Sequence, residues 1–325
     1  MGQQMRARRG NAVAMIVSVS RRTDIPACYA DWFLGRIAEG YALVRNPMNA
    51  HQMRRVDLSP EAVHGFVFWS KNPAPMLDKL DALAAYPYYF QFTLNPYGPD
   101  VEPGLPPLTQ RVSTFCALSE RIGRERTIWR YDPILITPKY DMRFHMEQFE
   151  TLARSLAGYA DLCTISFLDF YPKIAAAIRE LAVVEPLPEQ RLTLAMRFAE
   201  IAAACGLRIE TCAEDMDYSG LGIGRARCVG AERLARIAGR PVKAPKDKNQ
   251  RPACDCAASV DIGTYDTCPH GCRYCYANRG EKTVRHNRYA YDIVSPLLCG
   301  QPDSGQGTIV PADTPKEPKQ LRIFE

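Results

Sequence analysis

Three cysteines in one short stretch have the most obvious chemistry: Thr264-Tyr-Asp-Thr-Cys268-Pro-His-Gly-Cys272-Arg-Tyr-Cys275-Tyr276-Ala-Asn278. Their spacing is CxxxCxxC. Three thiolates on one tight turn can hold three irons of a cubane cluster and leave the fourth iron open to another ligand. Pro269 fixes one backbone dihedral and Gly271 permits positive ones, so the chain can curl round such a group. The other use of these thiols is zinc or a disulfide, although zinc normally takes a fourth protein ligand. Four more cysteines, Cys212, Cys228, Cys254 and Cys256, crowd the preceding segment. Four thiolates can close a tetrahedral zinc site or hold an auxiliary iron-sulfur cluster, or they can be unpaired loop thiols. The remaining five of the twelve cysteines are scattered among apolar residues and read as core thiols.

A second group of chemical residues sits where predicted strands end. These are Ser20-Arg21-Arg22-Thr23-Asp24, Ser70-Lys71-Asn72-Pro73, Thr93-Leu94-Asn95-Pro96, Arg130-Tyr131-Asp132-Pro133, Ser166-Phe167-Leu168-Asp169 and Thr211-Cys212-Ala213-Glu214-Asp215. Strands end in polar turns for ordinary reasons. Six such ends in succession, two with an Arg and an Asp together, favour a site at the face where parallel barrels carry their chemistry.

The elements that would position these residues alternate along the chain. Candidate strands are Met15 to Val19, Gly65 to Ser70, Tyr88 to Leu94, Thr127 to Tyr131, Leu162 to Phe167, Arg208 to Cys212 and Ser259 to Tyr265. Most are continuous apolar runs, as expected of strands covered on both faces. Helical patterns fall at Tyr29 to Glu39, Ala74 to Ala85, Leu108 to Ile122, Arg143 to Ala157, Tyr171 to Val183 and Glu189 to Ala204. An extra β-like run, Tyr41 to Arg45, is expected to form a ribbon at the barrel mouth. The alternation predicts an α/β chain with a full or partial (β/α) barrel like the TIM type.

Residues 1–12 read as a flexible tail, 13–290 as the barrel and 299–325 as a disordered tail rich in Gly, Pro, Asp, Ser and Thr. Within the barrel, 205–260 is the cysteine-rich auxiliary region and 261–290 carries the cluster loop. Gly239 to Ala253, rich in Lys, Arg and Pro, reads as a solvated loop. Gly220-Leu-Gly-Ile-Gly224 reads as a turn, and His270 as either an incidental loop residue or a hydrogen-bond donor behind the cluster.

At 325 residues, 46% hydrophobic and 24% charged, the sequence has the composition of a globular protein. No apolar run approaches 18 residues, which argues against a membrane span. No small-residue cleavage site follows an apolar core near the start, so the expectation is a cytoplasmic protein in which clustered cysteines mean metal rather than disulfides. A net charge of +5 permits a nucleotide or phosphate partner without requiring one. Oligomeric state is not legible.

Here a resemblance adds to the residues. Thr23-Asp-Ile-Pro26, Lys71-Asn-Pro73, Glu102-Pro103 and Arg130-Tyr-Asp-Pro133 succeed one another as in radical S-adenosylmethionine (SAM) proteins related to spore photoproduct lyase, and Cys268 to Cys275 resembles their cluster loop. In those proteins the cysteine loop comes first. Here it comes last, as in a circularly permuted barrel, which adjacent first and last strands make physically reasonable. More closely, about 16 to 290 resembles a bacterial family of unknown function, the DUF1848 family. The resemblance is carried by SVSRRTDIPA, VFWSKNP, FQFTLNPY, WRYDPI, KDKNQRPACDC and DIGTYDTCPHGCRYCYAN.

The radical SAM resemblance implies a 4Fe-4S cluster on Cys268, Cys272 and Cys275 that cleaves SAM to a 5′-deoxyadenosyl radical for hydrogen abstraction. It implies Tyr274 against the adenine, Asp24 toward the SAM amino group and Arg22 toward its carboxylate. Ser20, Ser70, Lys71, Thr93 and Arg130 would line SAM or the substrate, and Asp132 joins Arg22, Asp24, Lys71 and Arg130 as a catalytic candidate. The expected partners are an electron donor such as flavodoxin or ferredoxin and a small-molecule or nucleotide-like substrate. A second iron-sulfur cluster is the expected use of Cys212, Cys228, Cys254 and Cys256, with zinc as the alternative. The sequence lacks the Gly-Gly-Glu that often follows the second strand of such enzymes. The competing class is a zinc-stabilised barrel that binds nucleic acid or hydrolyses a phosphate-containing ligand.

Overall fold

The computed structural model describes residues 14–302 and 308–310. The tail at 1–12 and most of the expected tail after 298 lie outside the described residues. β1 (Met15–Val19) leads through α1 (Ile25–Cys28) and α2 (Ala30–Glu39) into an antiparallel ribbon, β2 (Tyr41–Asn46) and β3 (Asn49–Asp57). Then come β4 (Val63–Ser70), β5 (Tyr88–Thr93), α3 (Leu108–Ile122), β6 (Thr127–Ile134), α4 (Met142–Ser155) and β7 (Leu162–Phe167). α5 (Ala175–Glu180) and α6 (Pro188–Ala204) precede β8 (Arg208–Thr211) and the two-residue β9 (Gly224–Arg225). α7 (Ala231–Ala238), β10 (Val260–Asp261), α8 (Glu281–Tyr289) and β11 (Thr308–Val310) complete the order.

The main sheet has eight strands in the order β10-β1-β4-β5-β6-β7-β8-β9, paired in parallel throughout. This is an α/β fold. β10, nearly the last strand in sequence, lies beside the first: Val17 pairs with Val260 and Ser18 with Asp261. The ribbon belongs to a separate sheet, β11-β3-β2, so Thr308–Val310, within the tail expected to be disordered, is strand.

Alternation along the strands gives the sheet two buried faces. Phe66, Phe68, Tyr88, Phe90, Phe92, Trp129, Tyr131 and Ile165 point into the larger core, where α2, α3, α4 and α6 contribute Phe33, Phe115, Phe149 and Phe198. α4 reaches that core with His145, Phe149, Leu152 and Ala153, one stripe at helical spacing. The intervening residues Ile16, Val67, Tyr89, Ile128 and Leu162 face the other way. There they pack on Val229, Leu234, Cys228, Cys254 and Cys256 from the segment around α7. The continuous apolar strands are thus explained by cover on both sides.

Some elements depart from expectation. The strand expected over Ser259 to Tyr265 is only Val260–Asp261, because the Asp261 side chain accepts from its own Gly263 N–H at 2.9 Å and turns the chain. The helix expected over Ala74 to Ala85 is a 3-10 helix, Ala74–Leu83. Tyr171 to Val183 splits into the 3-10 turn Pro172–Ile174 and α5. The sequence reading missed β3, α7 and α8. β3 and α8 are largely polar, and α7 is only two turns long, so none carries a long apolar pattern. No helix among the described residues is long and apolar enough to cross a membrane.

Candidate metal and cofactor site

Because the main strands run parallel, their C-terminal ends fall on one side, and there they open onto a cavity of ≈ 320 Å³. Ser20, Arg22 and Asp24 reach it after β1, Ser70 and Lys71 from β4, Thr93 from β5, and Arg130 and Asp132 from β6. Tyr274, Cys268, Cys272 and Cys275 come from the loop after β10, and Cys212, Cys228, Cys254 and Cys256 also line the wall. Every site residue nominated from the sequence therefore faces the same space.

The cysteine loop is tied down at many points. Cys275 N–H donates to Cys272 O at 3.0 Å, and Asn278 Nδ2 to Cys268 O at 2.8 Å. Tyr29 Oη reaches Thr267 O at 2.6 Å, Tyr276 Oη reaches Arg21 O at 2.8 Å, and Arg273 N–H reaches Val101 O at 2.9 Å. Gly104 N–H donates to His270 O at 2.9 Å. A Cβ at Gly104 would stand 2.6 Å from that oxygen, so only glycine allows this approach. Burial pushes the Cys268, Cys272 and Cys275 thiols up from their ordinary range.

Asp24 is the hub between β1, β4 and this loop. Its carboxylate accepts from Ala27 N–H (3.0 Å), Ser70 Oγ (2.7 Å), Lys71 N–H (2.8 Å) and His270 Nε2 (2.9 Å). A carboxylate has about four acceptor positions, so the chain itself fills them. Burial would raise this carboxyl, but His270, Lys71 and Ser70 outweigh it and hold it below the usual range. His270 is therefore a working hydrogen-bond partner.

Beside Asp24, the Lys71 ammonium pairs with buried Glu102 at 2.9 Å and with Tyr274 Oη at 2.7 Å. Arg111 meets the other Glu102 oxygen at 3.3 Å, and Tyr274 also donates to Glu102. Burial alone would lower the Lys71 pKa; Glu102 reverses it and keeps the ammonium charged. The Tyr274 hydroxyl is committed to this network, while the residue still lines the cavity.

Asp261 escaped the sequence reading. It accepts from Ser18 Oγ (2.9 Å), Ser20 Oγ, Arg21 N–H (2.8 Å) and Gly263 N–H (2.9 Å), with Arg22 Nε 4.0 Å away. Burial pushes this carboxyl up; Arg22 and Arg21 more than compensate and hold it down. The approach is so close that a Cβ on Gly263 would lie 2.0 Å from Ser20 Oγ. The available signal was an acid in an apolar run followed at once by Ile-Gly. Trp69, beneath the guanidinium groups of Arg21 (5.8 Å) and Arg130 (5.1 Å), was missed too, since an aromatic inside an apolar strand gives no sign of facing a site.

Arg130 joins the strand ends to the second cysteine set. Its Nη1 donates to Cys228 Sγ at 2.9 Å and to Gln91 Oε1 at 3.3 Å, and its Nη2 pairs with Asp132. Cys228 Sγ lies 3.4 Å from Cys212 Sγ. Among the described residues, no three His, Cys, Asp or Glu side chains are grouped as ligands of one metal ion. A cubane makes a different demand, because each iron takes its own thiolate. Three cavity-facing thiols on one tied loop, with polar groups beside them and no fourth protein thiol on that loop, fit such a cluster with one iron left for a small ligand.

No curated protein matches the sequence. Residues 16–277 match the model of DUF1848, a domain of unknown function, and this span holds all the strand-end motifs and both cysteine sets. The chain belongs to the DUF1848 family.

Proposed function

We propose that the chain is a radical SAM enzyme built on a partial, circularly permuted β/α barrel, with a 4Fe-4S cluster on Cys268, Cys272 and Cys275. The observation that carries this reading is the convergence of that loop with the ends of six parallel strands on one cavity, through the adjacency of β10 and β1. When bound, the cluster would pass one electron from a flavodoxin- or ferredoxin-like donor to SAM, releasing methionine and a 5′-deoxyadenosyl radical that takes a hydrogen atom from the substrate.

The chain's own residues bind, orient and shield. Lys71, kept cationic by Glu102, and Arg22, held by Asp261, offer positive charge to a carboxylate or phosphate. Ser20, Ser70 and Thr93 line the floor as small polar groups, and Arg130 with Asp132 offers a donor and an acceptor to the substrate side. Asp24 is a positioning residue in this scheme, since its oxygens are spent on Ser70, Lys71, Ala27 and His270. Trp69, Phe167, Tyr171 and Tyr276 supply apolar wall that keeps water from a reactive intermediate. The substrate class that suits the cavity is a small molecule, including nucleotide-like ones.

Anaerobic reconstitution tests the reading. The protein is expected to bind iron and sulfide in equal amounts and, after reduction, to convert SAM to methionine and 5′-deoxyadenosine. Cys272→Ala is expected to abolish that conversion. A folded, colourless protein that takes only zinc and leaves SAM intact favours the zinc-stabilised barrel and overturns the proposal.

A further inference from the structure

The reaction outlined above needs one metal centre, yet four other cysteines gather on the same cavity wall. Cys212 follows β8, Cys228 follows β9, and Cys254 and Cys256 come from the loop before β10. Three separate segments thus deliver four thiols to one place. Cys228 Sγ contacts Cys212 Sγ at 3.4 Å, and Cys254 and Cys256 pack in the same buried cluster as these two and line the same cavity. Cys163 within β7, by contrast, is fully buried in the apolar core.

We propose that Cys212, Cys228, Cys254 and Cys256 form a second metal centre, a four-thiolate site for a thiophilic metal, facing the cavity it shares with the first. Four soft sulfur donors suit zinc or iron-sulfur and disfavour hard cations such as magnesium or calcium. A tetrahedral ion with metal–sulfur bonds of about 2.3 Å sets its sulfurs about 3.8 Å apart. The Cys212–Cys228 contact is within a few tenths of an ångström of that edge. Apart from the Cys212–Cys228 contact, the four side chains do not stand as a ready ligand set, so binding requires loss of the thiol protons and rotation of side chains about χ1.

The surroundings are built for such a centre. The Cys228 carbonyl is held by Tyr89 Oη at 2.7 Å and Gln91 Nε2 at 2.9 Å. The Cys212 carbonyl accepts from Ser166 Oγ at 3.2 Å and Arg251 Nη2 at 3.5 Å. Cys254 N–H donates to Arg251 O, and the Cys256 carbonyl accepts from Asp247 N–H, both at 2.9 Å. Val229 N–H points at Cys256 Sγ from 3.4 Å. The backbone of each of the four cysteines is thus held by at least one hydrogen bond. Four thiolates around a divalent ion carry an excess of two negative charges, and the buried Arg130 guanidinium 2.9 Å from Cys228 Sγ offsets part of it. Arg130 also pairs with Asp132 on the cavity wall, so the second centre is in electrostatic contact with whatever occupies the cavity.

The test uses the full chain with Cys268, Cys272 and Cys275 all changed to alanine, so that its readout is independent of the first cluster and of SAM cleavage. This variant is expected to retain about one metal centre per chain. Zinc without sulfide identifies a single ion; iron with matching sulfide identifies a cluster. A further Cys228→Ser change is expected to remove it. In the wild-type protein, mass spectrometry after alkylation is expected to show Cys212, Cys228, Cys254 and Cys256 protected until a chelator is added, with Cys163 unaffected by the chelator. A folded triple variant that takes up neither zinc nor iron in stoichiometric amount, or labelling of the four cysteines that a chelator leaves unchanged, overturns the proposal. If wild-type protein fails to cleave SAM while the triple variant keeps its metal, only the first reading falls.

Discussion

The Asp24 carboxylate and the His270 imidazole stand 2.9 Å apart across 246 positions of sequence. This bond pins the middle of the CxxxCxxC loop to the end of the first strand, between Cys268 and Cys272. His270→Ala is expected to loosen the loop without removing a ligand. Groups that orient metal ligands are typically worth about ten- to a hundredfold in metal affinity, so iron should leave the variant that much faster under a chelator. His270→Gln, which keeps an N–H donor, should restore part of the loss. Equal iron retention in wild type and His270→Ala would show that the bond does not position the loop.

Asp261→Ala removes the acceptor shared by Ser18, Ser20, the Arg21 and Gly263 N–H groups and the Arg22 guanidinium. Taking one partner from a buried charge pair costs ~3–5 kcal/mol. Urea unfolding of the metal-free protein should show a loss of that order, together with poor iron loading because β10 is no longer held to β1. A loss under about 1 kcal/mol, the scale of a surface ion pair, contradicts the burial argument.

His145 gives a pH dependence apart from the two cysteine sets. Its ring lies buried between Tyr131 Oη (2.8 Å) and Leu135 O (2.9 Å), and a carbonyl can only accept, so Nε2 carries the proton and Nδ1 accepts from the tyrosine. Burial pushes its pKa down to about 4. The unfolded imidazole, near 6.5, binds its proton more readily, so stability is fully present above that pH and is lost as pH falls through 4. The loss amounts to about 3 kcal/mol. Urea midpoints from pH 7 to pH 4 should fall more steeply for wild type than for His145→Gln; parallel profiles would exclude His145 as the source.

What the sequence revealed follows from which contacts are local. CxxxCxxC is legible because three thiols on one turn must be close in sequence, and the strand-end motifs are legible because Arg130 and Asp132 sit two residues apart on one strand. Asp261, Trp69 and Gln91 were invisible as site residues, because their partners Ser20, Arg21, Arg130 and Cys228 lie far along the chain. The ribbon strand Asn49–Asp57 and the polar helix Glu281–Tyr289 were missed for a related reason: tertiary contacts, and not an apolar pattern, keep them in place. Asp24, which reads from the sequence as a ligand for a cofactor, has its oxygens occupied within the chain.

The neighbour relation of β10 and β1 also orders events during synthesis. Ribosomes deliver Val260 and Asp261 after every other strand of the main sheet. Until then, one flank of Met15–Val19 has unpaired N–H and C=O groups, an open edge of the kind that recruits foreign strands. The thiols of Cys268, Cys272 and Cys275 emerge only after that flank can be sealed. Under the proposed reading, metal capture at this loop would fall late in folding, and the nascent chain would be spared a reactive iron site while its sheet is still incomplete.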